Sequence, residues 1–179
     1  MRNLARASLA ALLVGGAIAA GSAGIALAQN SALLNANAEA AAASQRAAAL
    51  DPAEYKYVQP VCTRCHSAQN FLHSKSWPEW QNTFVRMQAN GARASDEQWG
   101  HIYKYFLGNL TQLNPNRADE DELSEVLGVD EKTAIAIVRR HYDKPFDSAE
   151  DLETVPGVDK VAIEKFKPRL LFDLPSPRR

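Results

Sequence analysis

The stretch C-T-R-C-H at residues 62–66 combines three side chains that can do chemistry. Two cysteines separated by two residues can form a redox-active dithiol, supply half of a zinc site, or carry a covalently attached haem. The histidine directly after them favours the haem, because both thiols can add to its vinyl groups while the imidazole binds the iron. The sequence therefore predicts one haem c, attached through Cys62 and Cys65, with His66 as an axial iron ligand.

The dithiol and the zinc site fit the rest of the chain less well. A thioredoxin-like dithiol opens a helix in a strand–helix–strand context, and no strand pattern is found near the motif. Zinc takes four ligands, usually from two cysteine pairs, whereas this chain has 2 cysteines in all. A disulfide across two residues closes too small a loop to stabilise a fold appreciably. Haem c therefore remains the expected cofactor.

The N-terminus has the parts of a secretory signal peptide. Arg2 and Arg6 supply positive charge, residues 7–26 are almost wholly apolar or small, and A-L-A at residues 26–28 has the pattern of a cleavage site. We therefore predict that residues 1–28 are a signal peptide and that the mature protein is exported to the periplasm. Retention of this stretch as a membrane anchor is the alternative, because its apolar run is long enough to span a bilayer.

Three predicted helices accompany the motif between residues 51 and 110. D-P-A-E-Y-K-Y-V-Q-P-V leads into it, a second helix runs from Ser76 as N-cap to a stop near Gly91, and a third is capped by Ser95. The pattern resembles the bacterial monohaem cytochromes c. This resemblance implies a small all-α haem domain that is not an enzyme and carries single electrons to or from a partner oxidoreductase such as a dehydrogenase.

The second axial ligand must come from outside the motif. Met87 is the single methionine of the mature chain, and a thioether ligand raises the reduction potential of a haem iron. Its surroundings resemble the compact haem domains of quinohaemoprotein dehydrogenases, in which a helix lies over the distal face, and we predict Met87 as the ligand. The alternatives are that Met87 only fills the core, that His73 or His101 binds the iron, or that the distal face is open.

A haem would also supply core to so short a domain, because about 60 residues bury little apolar surface on their own. Aromatic side chains that could surround it are Trp77, Trp80, Phe84, Tyr103 and Phe106. Candidate partners for its propionates are Arg64, Lys75 and Arg86. The alanine-rich residues 29–50 are predicted to be a spacer, either a single helix or a loose arm.

An internal repeat occupies the second half of the chain. E-L-S-E-V-L-G-V-D at residues 122–130 aligns with D-L-E-T-V-P-G-V-D at residues 151–159, and a second amphipathic segment follows each copy. The pattern resembles the tandem helix-hairpin-helix module of bacterial competence DNA receptors and of an extrinsic subunit of photosystem II. It predicts an all-α domain over residues 111–175, with a tail at residues 176–179, because neither hairpin can bury its apolar face alone.

The sequence of this domain argues against DNA as its partner. DNA-binding hairpins read Gly-apolar-Gly and offer backbone N–H groups to a phosphate, whereas Asp130 and Asp159 stand at the second glycine position here. Their carboxylates would take those N–H groups as helix N-caps and repel phosphate. Residues 111–179 also carry 11 Lys and Arg against 15 Asp and Glu. We expect a protein-docking or structural role; the alternatives are an exported DNA-binding protein with haem as sensor, or an open-site haem sensor or enzyme.

Overall fold

The computed structural model describes the backbone of residues 19–173 and the side chains of residues 32–173. Within these residues the fold is all-α, as predicted, and it contains no β-strand. The helices are α1 (Ala19–Leu50), α2 (Pro52–Cys62), α3 (Trp77–Ala89), α4 (Asp96–Asn109), α5 (Glu120–Leu127), α6 (Glu131–Asp143), α7 (Ala149–Leu152) and α8 (Lys160–Phe166).

The predicted signal peptide and the predicted tail fall largely or wholly outside the described residues. The backbone of α1 includes the predicted cleavage site at residues 26–28. Among the helices of residues 19–173, none has the length and apolar character needed to cross a membrane. The described chain divides within α1, between Glu39 and Ala40.

The last turns of α1 belong to the same compact unit as the helices that follow. Ala43 and Ala47 are fully buried. The Tyr105 hydroxyl donates a hydrogen bond to the carbonyl of Ala47 at 2.8 Å, and the hydroxyls of Ser44 and Tyr55 lie 2.8 Å apart. The second half of the alanine-rich segment is therefore a helix that packs against α2 and α4.

The helices around the cysteine motif begin where their sequences favour a helix start. Asp51 accepts hydrogen bonds from two backbone N–H groups at the start of α2. Ser76 is the N-cap of α3, as predicted, and its backbone N–H donates to the Glu79 carboxylate at 3.0 Å. Ser95 is confirmed as the N-cap of α4. Gly91, with φ of 99°, follows the end of α3.

Helices α5–α8 form two hairpins that share one aliphatic core. Its largest fully buried side chains include Leu123, Ile137, Leu152 and Ile163. Gly157 has a φ of 96°, and a Cβ built there would lie 2.2 Å from the Thr133 hydroxyl. The turn of the second hairpin therefore packs directly on the first hairpin, and glycine is needed for both backbone conformation and space.

Candidate functional site

A cavity of about 570 Å³ opens between α2, α3 and α4, and the C-T-R-C-H motif lies in its wall. Cavities that hold small molecules and cofactors measure about 300–1,000 Å³. Cys62, Cys65, His66 and Met87 all line this one cavity. The fold thus brings together the four residues that the sequence predicts as attachment points and axial ligands, although Met87 is 21 residues beyond His66 in the chain.

The end of α2 determines how the two cysteines are presented. The helix stops at Cys62, where the Thr63 hydroxyl donates to the carbonyl of Gln59 at 2.7 Å. Cys62 is half-buried and Cys65 is exposed. Burial raises the pKa of the Cys62 thiol to about 11. Cys62 is therefore a neutral thiol at pH 7, unlike the low-pKa thiolate that attacks in thioredoxin-like dithiols.

The hydrogen bond of His66 leaves one ring nitrogen available to a metal. Its Nδ1 lies 3.1 Å from the carbonyl oxygen of Ser67. A carbonyl only accepts hydrogen bonds, so Nδ1 carries the proton and the Nε2 lone pair is free. Such a second hydrogen bond fixes the tautomer and orientation of ligating histidines in proteins. Phe71 packs edge-on against the ring, with centroids 6.4 Å apart, and also lines the cavity.

Met87 lies in the last turn of α3, half-buried. The same helix supplies Trp80 and Phe84 to the cavity, and α4 supplies Phe106. The rings of Trp80 and Phe106 have centroids 4.6 Å apart, and those of Phe84 and Phe106 are 5.1 Å apart. Side chains from two helices therefore form one continuous aromatic wall.

Two of the aromatic candidates do not line this cavity. Trp77 is buried elsewhere and contacts α5, and Tyr103 packs on the outer side of Phe84 with 36% of its surface exposed. Phe71 and Trp99 line the cavity instead. Phe71 follows the motif closely, which is a signal that the sequence analysis missed. Trp99 lies in the first turn of α4 and was likewise not assigned to the site.

Cations surround the cavity. The three candidate propionate partners, for which solvated surface positions were the alternative, all line it: Arg64, Lys75 and Arg86. Arg93 lines it as well and was not a candidate. No aspartate or glutamate is among the described residues that line the cavity. The Lys75 ammonium lies 4.7 Å above the Trp80 ring and donates to the Thr83 hydroxyl at 3.1 Å. Cationic side chains of this kind can hold carboxylates.

The two histidines considered as rival ligands lie away from the cavity lining. His73 is exposed and stacks on Trp80, with centroids 5.4 Å apart. His101 pairs with the buried Glu54 carboxylate at 2.7 Å. Hydrogen bonds from Lys104 and then His101 lower the pKa of Glu54. No group of three or more His, Cys, Asp or Glu side chains with metal-site geometry occurs among the described residues.

The hairpin turns of the second half carry the predicted aspartate caps. Asp130 accepts from the Thr133 N–H at 2.8 Å and caps α6, and Asp159 accepts from the Val161 N–H at 2.9 Å and caps α8. Hydrogen bonds from Thr133, first its hydroxyl and then its backbone, lower the pKa of Asp130. Two carboxylates thus occupy N–H groups that would otherwise face a phosphate.

The outer face of α6 carries a shallow groove of about 680 Å³. Its lining includes Glu131 and Asp143 as well as Lys132 and Arg139. Charges of both signs therefore alternate there, and no aromatic side chain contributes to its lining. The residues that line this groove include no thiol, imidazole or thioether and no aromatic ring, all of which line the cavity beside the cysteine motif.

Comparison with protein-family models matches residues 108–171 to the helix-hairpin-helix motif. The match contains α5–α8 and both aspartate-capped turns. The comparison with curated proteins and the comparison with solved structures found no match. The second half of this chain therefore carries a helix-hairpin-helix motif.

Proposed function

We propose that this protein is an exported c-type cytochrome that carries single electrons to or from a partner oxidoreductase in the periplasm. The observation that carries the proposal is the single cavity that Cys62, Cys65, His66 and Met87 line together. Two thiols, one imidazole nitrogen and one thioether sulfur are the groups that attach a haem c and complete its iron coordination.

The residues of this cavity fit such a group. A bound haem would supply an iron that cycles between Fe(III) and Fe(II). Cys62 and Cys65 would hold it covalently, and His66 Nε2 and the Met87 sulfur would bind its iron. Trp80, Phe84 and Phe106 would exclude water, and low solvent exposure together with a methionine ligand favours a high reduction potential. The surrounding Lys and Arg side chains would hold the propionates.

The helix-hairpin-helix domain would serve as a docking or structural module rather than as a DNA-binding one. Its hairpin turns present carboxylates where DNA-binding hairpins present free N–H groups. Several of its basic side chains are already paired with acids: Arg140 with Asp151 at 2.9 Å, and Lys167 with Glu164 at 3.1 Å. Such pairing lowers the positive potential that non-specific DNA binding requires.

The test of this function is the absorption spectrum of the purified mature protein, oxidised and reduced. We expect covalently bound haem that survives denaturation and a low-spin spectrum with the weak sulfur-to-iron band. Cys62→Ala with Cys65→Ala should abolish covalent attachment completely. Met87→Ala should keep the haem and lose the sulfur band. Val85→Ala is the matched control, because Val85 is 64% exposed on the same helix and should leave the spectrum unchanged.

Two other outcomes would contradict the proposal in different ways. If the wild-type protein carries no covalent haem after maturation with the haem-attachment machinery, the proposal that it is a cytochrome is wrong. A high-spin wild-type spectrum with ready uptake of carbon monoxide would show an open distal face. The protein would then be a haem sensor or enzyme rather than a simple electron carrier.

A further inference from the structure

Two carboxylates of α5, in the helix-hairpin-helix domain, contact the first turns of α3. Glu125 accepts hydrogen bonds from the Trp77 indole N–H and, at 3.1 Å, from the Gln81 side-chain amide. Glu122 accepts from the backbone N–H of Trp77 at 3.2 Å. Trp77 itself is only 6% exposed. The two halves of the chain are therefore joined through specific polar contacts at this helix end.

These contacts satisfy a requirement of α3 that its own sequence meets only in part. The first four N–H groups of a helix have no intrahelical partner, and negative charge is favourable beside them. Glu79, within α3, takes the N–H of Ser76, and Glu122 takes the next N–H from outside. The bond from the Trp77 indole to Glu125 additionally restrains rotation of the helix about its axis, because a buried side chain is held at a fixed direction.

The restrained residue and the proposed iron ligand share one side of the same helix. Trp77, Trp80, Phe84 and Met87 follow the i, i+3, i+7, i+10 spacing of a single helical face. Helix α3 is unbroken from Trp77 to Ala89. Trp77 meets Phe84 edge-on with centroids 6.2 Å apart, while the last three members of the row line the cavity. A restraint on the first turn therefore sets the direction in which Met87 points.

The neighbours of α3 support the same conclusion. Backbone positions of α3 and α5 lie within 8 Å of each other. The adjoining end of α4 is held from the same domain, since the Arg169 guanidinium donates to the carbonyls of Leu107 at 2.9 Å and Thr111 at 3.1 Å. Two helices of the cavity wall are thus anchored on the helix-hairpin-helix domain.

We propose that Glu125, supported by Glu122, is a positioning residue for Met87, so that the helix-hairpin-helix domain holds the distal helix in the orientation that lets the sulfur reach the iron. This inference rests on the proposed function. It gives the second domain a role in tuning the first: loosening α3 at Trp77 weakens the bond from Met87, and an external ligand then competes more effectively for the same position.

The experiment measures the affinity of the oxidised holoprotein for imidazole. Binding is monitored through the loss of the sulfur-to-iron absorption band. Glu125→Ala should tighten imidazole binding about tenfold, the size of one charge-assisted hydrogen bond. Glu125→Gln keeps an oxygen acceptor for the indole and should tighten it about threefold, because a neutral bond is roughly half as strong. The reduction potential should fall below that of the wild type in both variants, and further in Glu125→Ala than in Glu125→Gln.

Glu150→Ala is the matched control. Glu150 is an exposed acid of the same domain whose carboxylate pairs with Lys167, far along the chain from any α3 contact. Imidazole binding should equal that of the wild type. A second control places Glu125→Ala in the Met87→Ala background, where imidazole affinity should no longer respond. A response of equal size in both backgrounds would show a general loosening of the cavity and overturn the positioning role.

The remaining outcomes separate this inference from the proposed function. A wild-type protein without covalent haem contradicts both the proposed function and the positioning role of Glu125. A low-spin protein with the sulfur band, in which Glu125→Ala binds imidazole as the wild type does, leaves the cytochrome intact and removes only the inference. If Glu125→Ala yields no folded holoprotein, Glu125→Gln decides alone, and an affinity equal to that of Glu150→Ala overturns the positioning role.

Discussion

The two halves of the described chain bury very different cores. Around the cysteine motif the core is aromatic and encloses a cavity, with Trp80, Phe84 and Phe106 in its wall. In the helix-hairpin-helix domain the core is mainly aliphatic and packs on itself, as the buried Leu123 and Ile137 show. The second half fills its core with its own side chains, whereas the first half arranges aromatic rings around an open space.

The two halves also differ in how their charged side chains are arranged. Among the described residues, every Lys, Arg, Asp or Glu side chain that lines the cavity of the first half is a Lys or an Arg. In the second half, carboxylates cap the hairpin helices and pair with neighbouring bases, as Asp130 and Asp151 do. The unpaired sign of charge at the cavity is what the proposed haem, with its two carboxylates, would require, whereas the acids of the second half stabilise its own helices.

The largest loss of stability should follow from a cavity-creating substitution in the aliphatic core of the second half. Ile137 is fully buried, and Ile137→Ala should lower the free energy of unfolding by about 2–5 kcal/mol. All 3 tryptophans lie in the first half, so their fluorescence reports that half while far-UV circular dichroism reports the whole chain. Denaturant unfolding followed by dichroism should show the same loss in the wild-type background and in the haem-free Cys62→Ala, Cys65→Ala background.

The control for this variant is Val161→Ala, because Val161 is 62% exposed in the same domain and the change should stay within about 0.5 kcal/mol. A loss that occurred only in the wild-type background, and not in the Cys62→Ala, Cys65→Ala background, would contradict the comparison. It would mean that the stability of the second half depends on the group that we propose the first half binds.

A smaller effect should separate the two repeats from each other. Gly128 and Gly157 occupy corresponding turns, with φ of 67° and 96°. An alanine at either position suffers left-handed strain of about 1–2 kcal/mol. At Gly157 the new methyl would also meet Thr133, adding about 1–3 kcal/mol, whereas nothing lies within 4 Å at Gly128. Thermal unfolding of Gly157→Ala and Gly128→Ala measures this difference, and equal losses would contradict the close packing of the two hairpins.

The smallest effects are pH-dependent and should have opposite signs in the two halves. Burial raises the pKa of Glu122, while bonds from Lys104 and His101 lower that of Glu54 below its ordinary value of 4.5. Ionised Glu54 therefore stabilises the fold above that value, and this stability is lost as pH falls through its lowered pKa. Burial costs ionised Glu122 more than its bond from the Trp77 N–H returns, and this net cost disappears as pH falls below its raised pKa.

Substitution by glutamine should reveal both signs in unfolding curves measured from about pH 3 to about pH 7, that is, from about 1 unit below to about 3 units above an ordinary glutamate pKa. At pH 7, Glu54→Gln should be less stable than the wild type and Glu122→Gln more stable. Both differences should shrink toward acid pH, where the native carboxyl groups become neutral. A difference that stayed constant with pH would show that shape rather than charge is responsible.

Much of the local structure could be predicted because it depends on neighbours in the chain. Ser95, Asp130 and Asp159 cap the helices that they precede, since a cap needs only an oxygen and an N–H two or three residues later. The repeat indicated two hairpins, and the family match over residues 108–171 agrees with it. The spacing of the C-T-R-C-H motif was enough to predict Cys62, Cys65 and His66 as site residues, and all three line the cavity.

Tertiary structure alone decided the contacts between distant residues. It packed Trp77 against Glu125 outside the cavity lining, paired His101 with Glu54, and placed Phe71 and Trp99 in the cavity wall. Helical periodicity shows which side chains share a face, but the partner of that face is set by the packing of helices that lie tens of residues apart. The sequence by itself therefore determined the helix starts and the reactive motif, and the packed fold determined which side chains surround that motif and what holds α3 in place.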